Sequence, residues 1–425
     1  MEFNSPSEKI KLMRKRFRVN QAELEGINMT RAFISMMESG RRNVSKSSSK
    51  LLAEKFNKIA NRISVNLNLD DEYFSRTPKE DAIYYCKEEL NKDPNHDKLE
   101  ELIEISEDFE LDDLQAEVYK LQGEKYYKEK DYKEAFFHFR KALGKYKELR
   151  DKKSQVRIYQ LLGICKSRRE EHDDAIHYYK EAIAYAREEN DKRVFYKGNY
   201  NLALSYMLTQ QYDKSLERLD QIINSKEDEV DFDILVDAKI LKGYELDNIG
   251  RGKEAIDEDL SLIDILKGKD DESLSMAYNN IAEAYYKIGD YTKSLKYVDE
   301  AQRLKVKVNK PMLSQTLNTK GKVLFKTGFY QESILILGLA IDLAEEYKRF
   351  DYLLESCKDL ITVYESTNDY QSIQDLMNRL LEILDTNDVK SGKAYAVLKL
   401  AEVSAKLDNS SETISYLNKL EILLQ

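Results

Sequence analysis

The sequence predicts an all-α protein in two parts, a small basic helical module followed by a long array of helical hairpins. Three observations carry that expectation. Turn-formers are scarce, with 15 Gly and 4 Pro in 425 residues of which 34% are charged, and β-rich chains need more of them. Pairs of small residues twelve apart recur along most of the chain, the mark expected where two helices cross closely. Charge is lopsided: residues 1–70 hold 14 Lys and Arg against 7 Asp and Glu, a net of +7, which leaves −17 for residues 71–425 in a total of −10. Clustered cations at one end of an acidic body suit a nucleic-acid backbone.

The module comes first. Polar breaks divide residues 7–62 into SEKIKLMRKRF, NQAELEG, TRAFISMMESG and SKSSSKLLAEKFNKIANRI, four short helices. Asn20 and Thr30 suit N-caps and Gly40 a C-terminal stop. Ile10, Leu12, Met13, Leu24, Ile34, Met37, Leu51, Leu52 and Phe56 are the expected small core.

NQAEL followed by ISMMESGRRNVS resembles the helix-turn-helix of the phage-repressor and Xre type in Gln21, Ile34, Ser35, Glu38 and Gly40. That resemblance implies that Gln21 caps against a DNA phosphate, that Arg31, Ala32, Ser35 and Met36 face the major groove, and that Arg41, Arg42 and Asn43 meet the backbone. A helix opening at Thr30 presents free N–H groups beside Arg31, the side chain best suited to a guanine. The segment between Leu24 and Arg31 is one residue shorter than the usual pattern, and Glu25 stands where a small residue is common. A different angle between the two helices is the expected result.

Residues 71–115 keep helical periodicity without the small residues, and Pro78 and Pro94 punctuate them. They read as a connecting helix and a divergent first hairpin. From residue 116 to 425 the small pairs are Gly123 and Ala135, Gly163 and Ala175, Ala203 and Ser215, Gly243 and Ala255, Ala282 and Ser294, Gly321 and Ser333, at intervals of 39 or 40 residues. Aromatic residues such as Tyr126, Tyr206 and Tyr285 follow the first small residue by three, and Phe139, Tyr179 and Leu219 follow the second by four. This order resembles the tetratricopeptide repeat, with units longer than the family's and almost no closing Pro. It implies about eight units wound into a right-handed superhelix, the last of them, Ala401 to Leu420, a cap.

Such an array presents a concave surface fit for an extended peptide. Helical register places Arg157, Gln160, Lys197, Tyr200, Asn201, Met207, Asp237, Tyr244, Asp247, Asn279, Asn280, Glu283, Asn318, Lys322 and Phe325 on that face. Asn carboxamides both donate and accept, and so can hold a peptide backbone whatever its side chains.

Other chemistries have no home here. Phosphate-loop, nucleophile-elbow, HExxH and CxxC patterns do not occur, no cofactor is indicated, and no catalytic role is expected. His96, His138, His172 and His177 read as residues of polar helix faces with poor metal-ligand spacing, so no metal site is expected. Cys86, Cys165 and Cys357 read as reduced, packed thiols. No apolar run reaches the roughly 18 to 20 residues of a membrane span, and the first 30 residues lack a signal peptide's apolar core. A cytoplasmic protein without membrane contact is expected.

The two resemblances together are similar to the RRNPP group of peptide-pheromone receptors, with its Rgg, Rap, NprR, PlcR and PrgX branches, and most of all to the NprR branch. They imply a quorum-sensing transcription regulator that binds a short signalling peptide, dimerises through its repeats and reads a double-stranded operator. The alternative implied by the Rap branch is a phosphatase or sequestering partner of a response-regulator phosphorelay, alone or in addition. A co-chaperone scaffold would need a basic clamp, and Asp237, Asp247 and Glu283 oppose one.

Overall fold

The computed structural model describes residues 2–226 and 229–424, and among them it is helical throughout, with a lone bridge between Gly26 and Met29. The chain divides into two compact units, Met1–Gly198 and Asn199–Gln425. Among the described residues no helix is long and apolar enough to cross a membrane.

The first unit opens with α1 (Pro6–Phe17), α2 (Arg31–Glu38) and α3 (Lys46–Arg62). Ser5, Thr30 and Ser45 cap their N-termini with side-chain oxygens, and α2 stops at Gly40 in the left-handed region, φ 73°. Ile10, Met13, Leu24, Ile34, Met37, Leu52 and Phe56 close the expected core, joined by Val19, Met29, Val44 and Phe74. Leu12 is excluded at 49% exposure. The buried stripe of α1 runs through Ile10 and Met13 at a spacing of three, and Leu12 points away from it.

The expected helix NQAELEG is a single 3-10 turn, Gln21–Leu24. Asn20 and Glu23 start it with a reciprocal capping box. Glu25 then turns extended, and Gly26 and Met29 exchange backbone hydrogen bonds of 3.0 Å around Asn28, φ 65°. The shortened segment thus closes as a tight turn and leaves no room for more helix.

Hairpins follow: α4 (Pro78–Leu90) with α5 (His96–Asp108), α6 (Asp112–Lys128) with α7 (Tyr132–Glu148), and α8 (Lys152–Arg168) with α9 (His172–Glu188). The unit boundary falls within α10 (Lys192–Leu208). In the first unit the helices end alike. Lys130, Arg150, Glu170 and Asn190 adopt positive φ, between 56° and 66°, and bonds such as Asp131 N–H to the Tyr126 carbonyl, 3.0 Å, satisfy the terminal carbonyls. His138 is buried rather than on a polar face; desolvation lowers its pKa to about 4, and it stacks on Tyr126 at 5.3 Å.

The second unit continues with α11 (Tyr212–Ile223), α12 (Phe232–Asn248), α13 (Gly252–Leu266), α14 (Asp271–Lys287), α15 (Tyr291–Val308), α16 (Leu313–Lys326), α17 (Tyr330–Glu346), α18 (Phe350–Ser366), α19 (Tyr370–Thr386), α20 (Lys393–Lys406) and α21 (Ser410–Leu424). The small pairs mark the helix crossings in both units. A Cβ on Gly123, Gly163 or Gly321 would stand 2.5 to 2.7 Å from Phe139, Tyr179 or Leu337. Where the second small residue is Ser, its hydroxyl donates across the crossing: Ser215 to the Ala203 carbonyl at 2.9 Å, Ser294 to Ala282 at 2.6 Å and Ser333 to Gly321 at 2.8 Å. The three cysteines are buried and free, and burial pushes each thiol's pKa up, Cys86 to about 11 and Cys165 and Cys357 to about 12.

Candidate functional site

Two surfaces hold the residues singled out from the sequence. On the module, α2 has Ile34 and Met37 fully buried, which turns Arg31, Ala32, Ser35 and Met36 outward. Thr30, Arg41, Arg42 and Asn43 are exposed at its two ends. The Arg42 guanidinium lies 4.5 Å from the Phe33 ring centroid, which orders it beside the helix. Gln21 is half-buried and donates to Glu38 at 2.7 Å, and Arg14 donates to the other Glu38 oxygen at 3.0 Å. Glu38 therefore fixes the end of α2 against α1 and the 3-10 turn.

In the first unit's array, Arg157 is exposed and donates to the buried Gln160 at 3.0 Å, while Lys197 is half-buried. In the second unit Tyr200, Asn201, Met207 and Asp237 are half-buried and Tyr244 is exposed. Burial, with the Asp237 charge adding to it, pushes the Tyr200 hydroxyl up to about 12. Asp247 is buried and pairs with Lys287 at 2.7 Å. Asn280 is half-buried, and its carboxamide acts to lower the raised pKa of buried Asp259.

The remaining predicted residues of this unit meet in one polar cluster of α14, α16 and α18. Asn279 donates to Glu283 at 3.0 Å and accepts from Thr316 at 2.8 Å, and Thr319 donates to Glu283 at 3.0 Å. Asn318 donates to Asp359 at 2.8 Å and to Glu355 at 3.4 Å, while its own carbonyl oxygen is buried without a hydrogen-bond partner among the described residues. Lys322 stands 3.7 Å from Glu355 and lies over the Tyr286 ring at 5.6 Å. Burial works to lower the Lys322 pKa, but Glu283, Asp359 and Glu355 together carry it up. Burial raises both the Glu355 and the Asp359 carboxyls. Phe325 packs 5.8 Å from Tyr330 at the edge. The cluster can offer an extended ligand hydrogen-bond acceptors and one cation.

Glu355, Asp359 and Tyr286 were not anticipated. The register does reach the first two: Tyr330 and Tyr370 begin successive second helices 40 residues apart, which aligns Ile361 with Gly321 and puts Glu355 and Asp359 on the same face as the residues chosen elsewhere. Ile361 and Ile373 replace the small pair there, and with them went the signal.

Residues 114–188 match the tetratricopeptide repeat family. No curated protein matches the chain. Solved structures similar to it include the apo quorum sensor NprR from B. thuringiensis, 16% identical with 99% of each chain covered and a TM-score of 0.48. Aspartyl phosphate phosphatase F from Bacillus subtilis is 14% identical, covering 100% of this chain and 95% of its own, with a TM-score of 0.43. A signal-transduction ATPase with a tetratricopeptide repeat sensor from Pyrococcus horikoshii is 14% identical, covering 98% of this chain and 72% of its own, with a TM-score of 0.49.

Proposed function

We propose that the chain is a DNA-binding regulator of the RRNPP kind, with a short peptide bound in its repeat array as the controlling ligand. The observation that carries the first half is the division of α2: its inner residues Ile34 and Met37 are fully buried, and Arg31, Ala32, Ser35, Met36, Arg41, Arg42 and Asn43 are all exposed. A helix of eight residues that spends its apolar side on the core and shows Arg at both ends fits a major groove and its flanking phosphates. The surplus of +7 over residues 1–70 supplies the long-range attraction.

The test is binding of a random-sequence duplex measured by anisotropy across a salt series. Arg31→Ala with Arg42→Ala is expected to weaken binding about tenfold or more and to flatten the salt slope by about 1, from the phosphate contact of Arg42, with helix content unchanged. Unchanged affinity and slope in that variant overturn the assignment.

The peptide half rests on the polar cluster of α14, α16 and α18, where the Asn318 carbonyl lacks a donor and Glu355, Asp359 and Lys322 converge. A degenerate heptapeptide pool passed over the immobilised full chain is expected to leave a retained fraction, and Asp359→Asn with Lys322→Met is expected to abolish the retention. Equal retention by wild type and variant removes the cluster from the site, and no retention by wild type removes the peptide.

A further inference from the structure

Lys9 lies on the buried stripe of α1 beside Ile10 and Met13 and is 3% exposed. A lysine persists in such a place only when its ammonium protons are all taken up. Nζ donates to the Tyr73 carbonyl at 2.9 Å and the Arg76 carbonyl at 2.8 Å, and it pairs with the Asp81 carboxylate. Arg76, 9% exposed, completes the circuit. Its guanidinium grips both Asp70 oxygens at 2.6 and 2.7 Å, its Nε donates to the second Asp81 oxygen at 2.8 Å, and the group lies 4.0 Å from the Tyr84 ring centroid. Two cations and two anions, from α1, the connection and α4, thus neutralise one another in bidentate geometry.

Contacts of a different chemistry cross the same joint. Phe3, ahead of α1, packs edge-on against Tyr85 of α4 at 6.0 Å and against Phe109, just past α5, at 5.4 Å. From the other direction, Phe74 of the connection is fully buried in the module core, 5.3 Å from Phe56. Asn57 also holds the connection, through paired bonds to Leu69 of 2.8 and 2.9 Å. Residues 69–77 are therefore held from both sides, by Asn57 and Phe56 of the module and by Lys9 and Asp81, and do not form a loose tether.

We infer that Lys9, Asp70, Arg76 and Asp81 form a latch that fixes the helix-turn-helix module to the hairpin of α4 and α5 as one rigid body. The direction in which Arg31 points is then set by that hairpin, and a displacement of α4 reaches α2 undiminished. Removing one member strands the other buried charges, so the latch opens as a unit. An opened connection over residues 63–77 would behave as a coil with a span of about 20 Å, and the module would lose its fixed orientation. The latch acts whatever nucleic acid or other partner the module meets.

The test uses the full chain with spin labels on Glu54→Cys of α3 and Glu100→Cys of α5. Both positions are exposed and the native cysteines are buried, so labelling is selective. Pulsed electron resonance is expected to give one narrow distance in the parent and a distribution at least about twofold broader in Asp81→Asn with Arg76→Gln. Lys9→Met, which keeps the packed stem and removes the charge, is expected to broaden it as well. Hydrogen exchange at Leu52–Phe56 and at Leu99–Leu102 checks that module and hairpin stay folded. A broad distance in the parent, or a narrow one in both variants with those cores protected, overturns the latch.

Discussion

Gly163→Ala is expected to cost about 2 to 3 kcal/mol of stability, and Gly144→Ala, the same added methyl one hairpin earlier, to gain about 1 kcal/mol. The difference lies in what the methyl meets. On Gly163 it would stand 2.6 Å from two ring carbons of Tyr179, and on Gly144 it meets nothing within 4 Å. Tyr179 is 2% exposed and cannot swing aside, so either the ring leaves its well or α8 and α9 move apart. On the open face of α7 the methyl only lowers the backbone entropy of the unfolded chain. Urea unfolding followed by circular dichroism separates the two as opposite shifts of midpoint at unchanged slope. A Gly163→Ala midpoint at or above wild type would show that the crossing does not depend on the missing side chain.

That crossing was legible in the sequence because it depends on one atom at a fixed interval. Gly163 and Tyr179, or Gly321 and Leu337, are sixteen apart and touch, and no distant residue is needed to fix them. The candidate surfaces were legible on the same terms. Ile34 and Met37 mark the inner side of α2 by spacing alone, and Arg31 and Ser35 follow as its outer side. What escaped depends on partners far along the chain. Lys9 shares a helical stripe with Ile10 and Met13, yet its acceptors, Tyr73, Arg76 and Asp81, lie more than sixty residues away. The collapse of NQAELEG to one 3-10 turn depends on Asn28 entering the left-handed region, a local choice among conformations of similar energy. Asn280 shares its register with Asn201, and only the fold brings it within reach of Asp259 on α13.

The chemistry of the polar cluster in the array follows from the same economy of small residues. Close crossings keep each hairpin narrow, so successive first helices such as α14, α16 and α18 come near enough for Asn279 to reach Thr316 and Asn318 to reach Asp359. Polar side chains on adjacent first helices then satisfy one another and hold a fixed pattern of donors and acceptors. Glu355 and Asp359 flank Lys322 in that pattern, and burial raises the pKa of both carboxyls in spite of the lysine.

Asp259→Leu is expected to stabilise the protein by about 2 to 4 kcal/mol at pH 8. The position that packs against the small residue of the first helix is Phe139, Tyr179, Leu219, Val298 or Leu337 in the other hairpins and Asp259 in α13. Asp259 is 1% exposed, sits where a Cβ on Gly243 would meet its carboxylate at 2.6 Å, and has neither oxygen in a well-formed hydrogen bond. Burial, with Glu258 and Asp247 adding repulsion, raises its pKa well above the ordinary carboxylate range. Glu245, fully buried on α12, is raised to about 7 by burial, although the Ser215 hydroxyl lies 2.7 Å away. Both folded-state values lie above the unfolded ones, so the stability these groups contribute is complete below about pH 4.5 and is lost as pH rises; for Glu245 the loss runs through about 7 and amounts to about 3 kcal/mol. Leu at 259 fits opposite a glycine, as Leu337 does opposite Gly321, and its burial outweighs the loss of the favourable Asn280 dipole near the carboxylate. Because burial raises the Asp259 pKa, the gain should shrink as the pH falls from 8 to 5, and Glu245→Gln should flatten what pH dependence remains. Urea midpoints at pH 5 and pH 8 decide it: a variant no more stable than wild type at pH 8 would mean that the carboxylate is better served in the interior than its unpaired oxygens indicate.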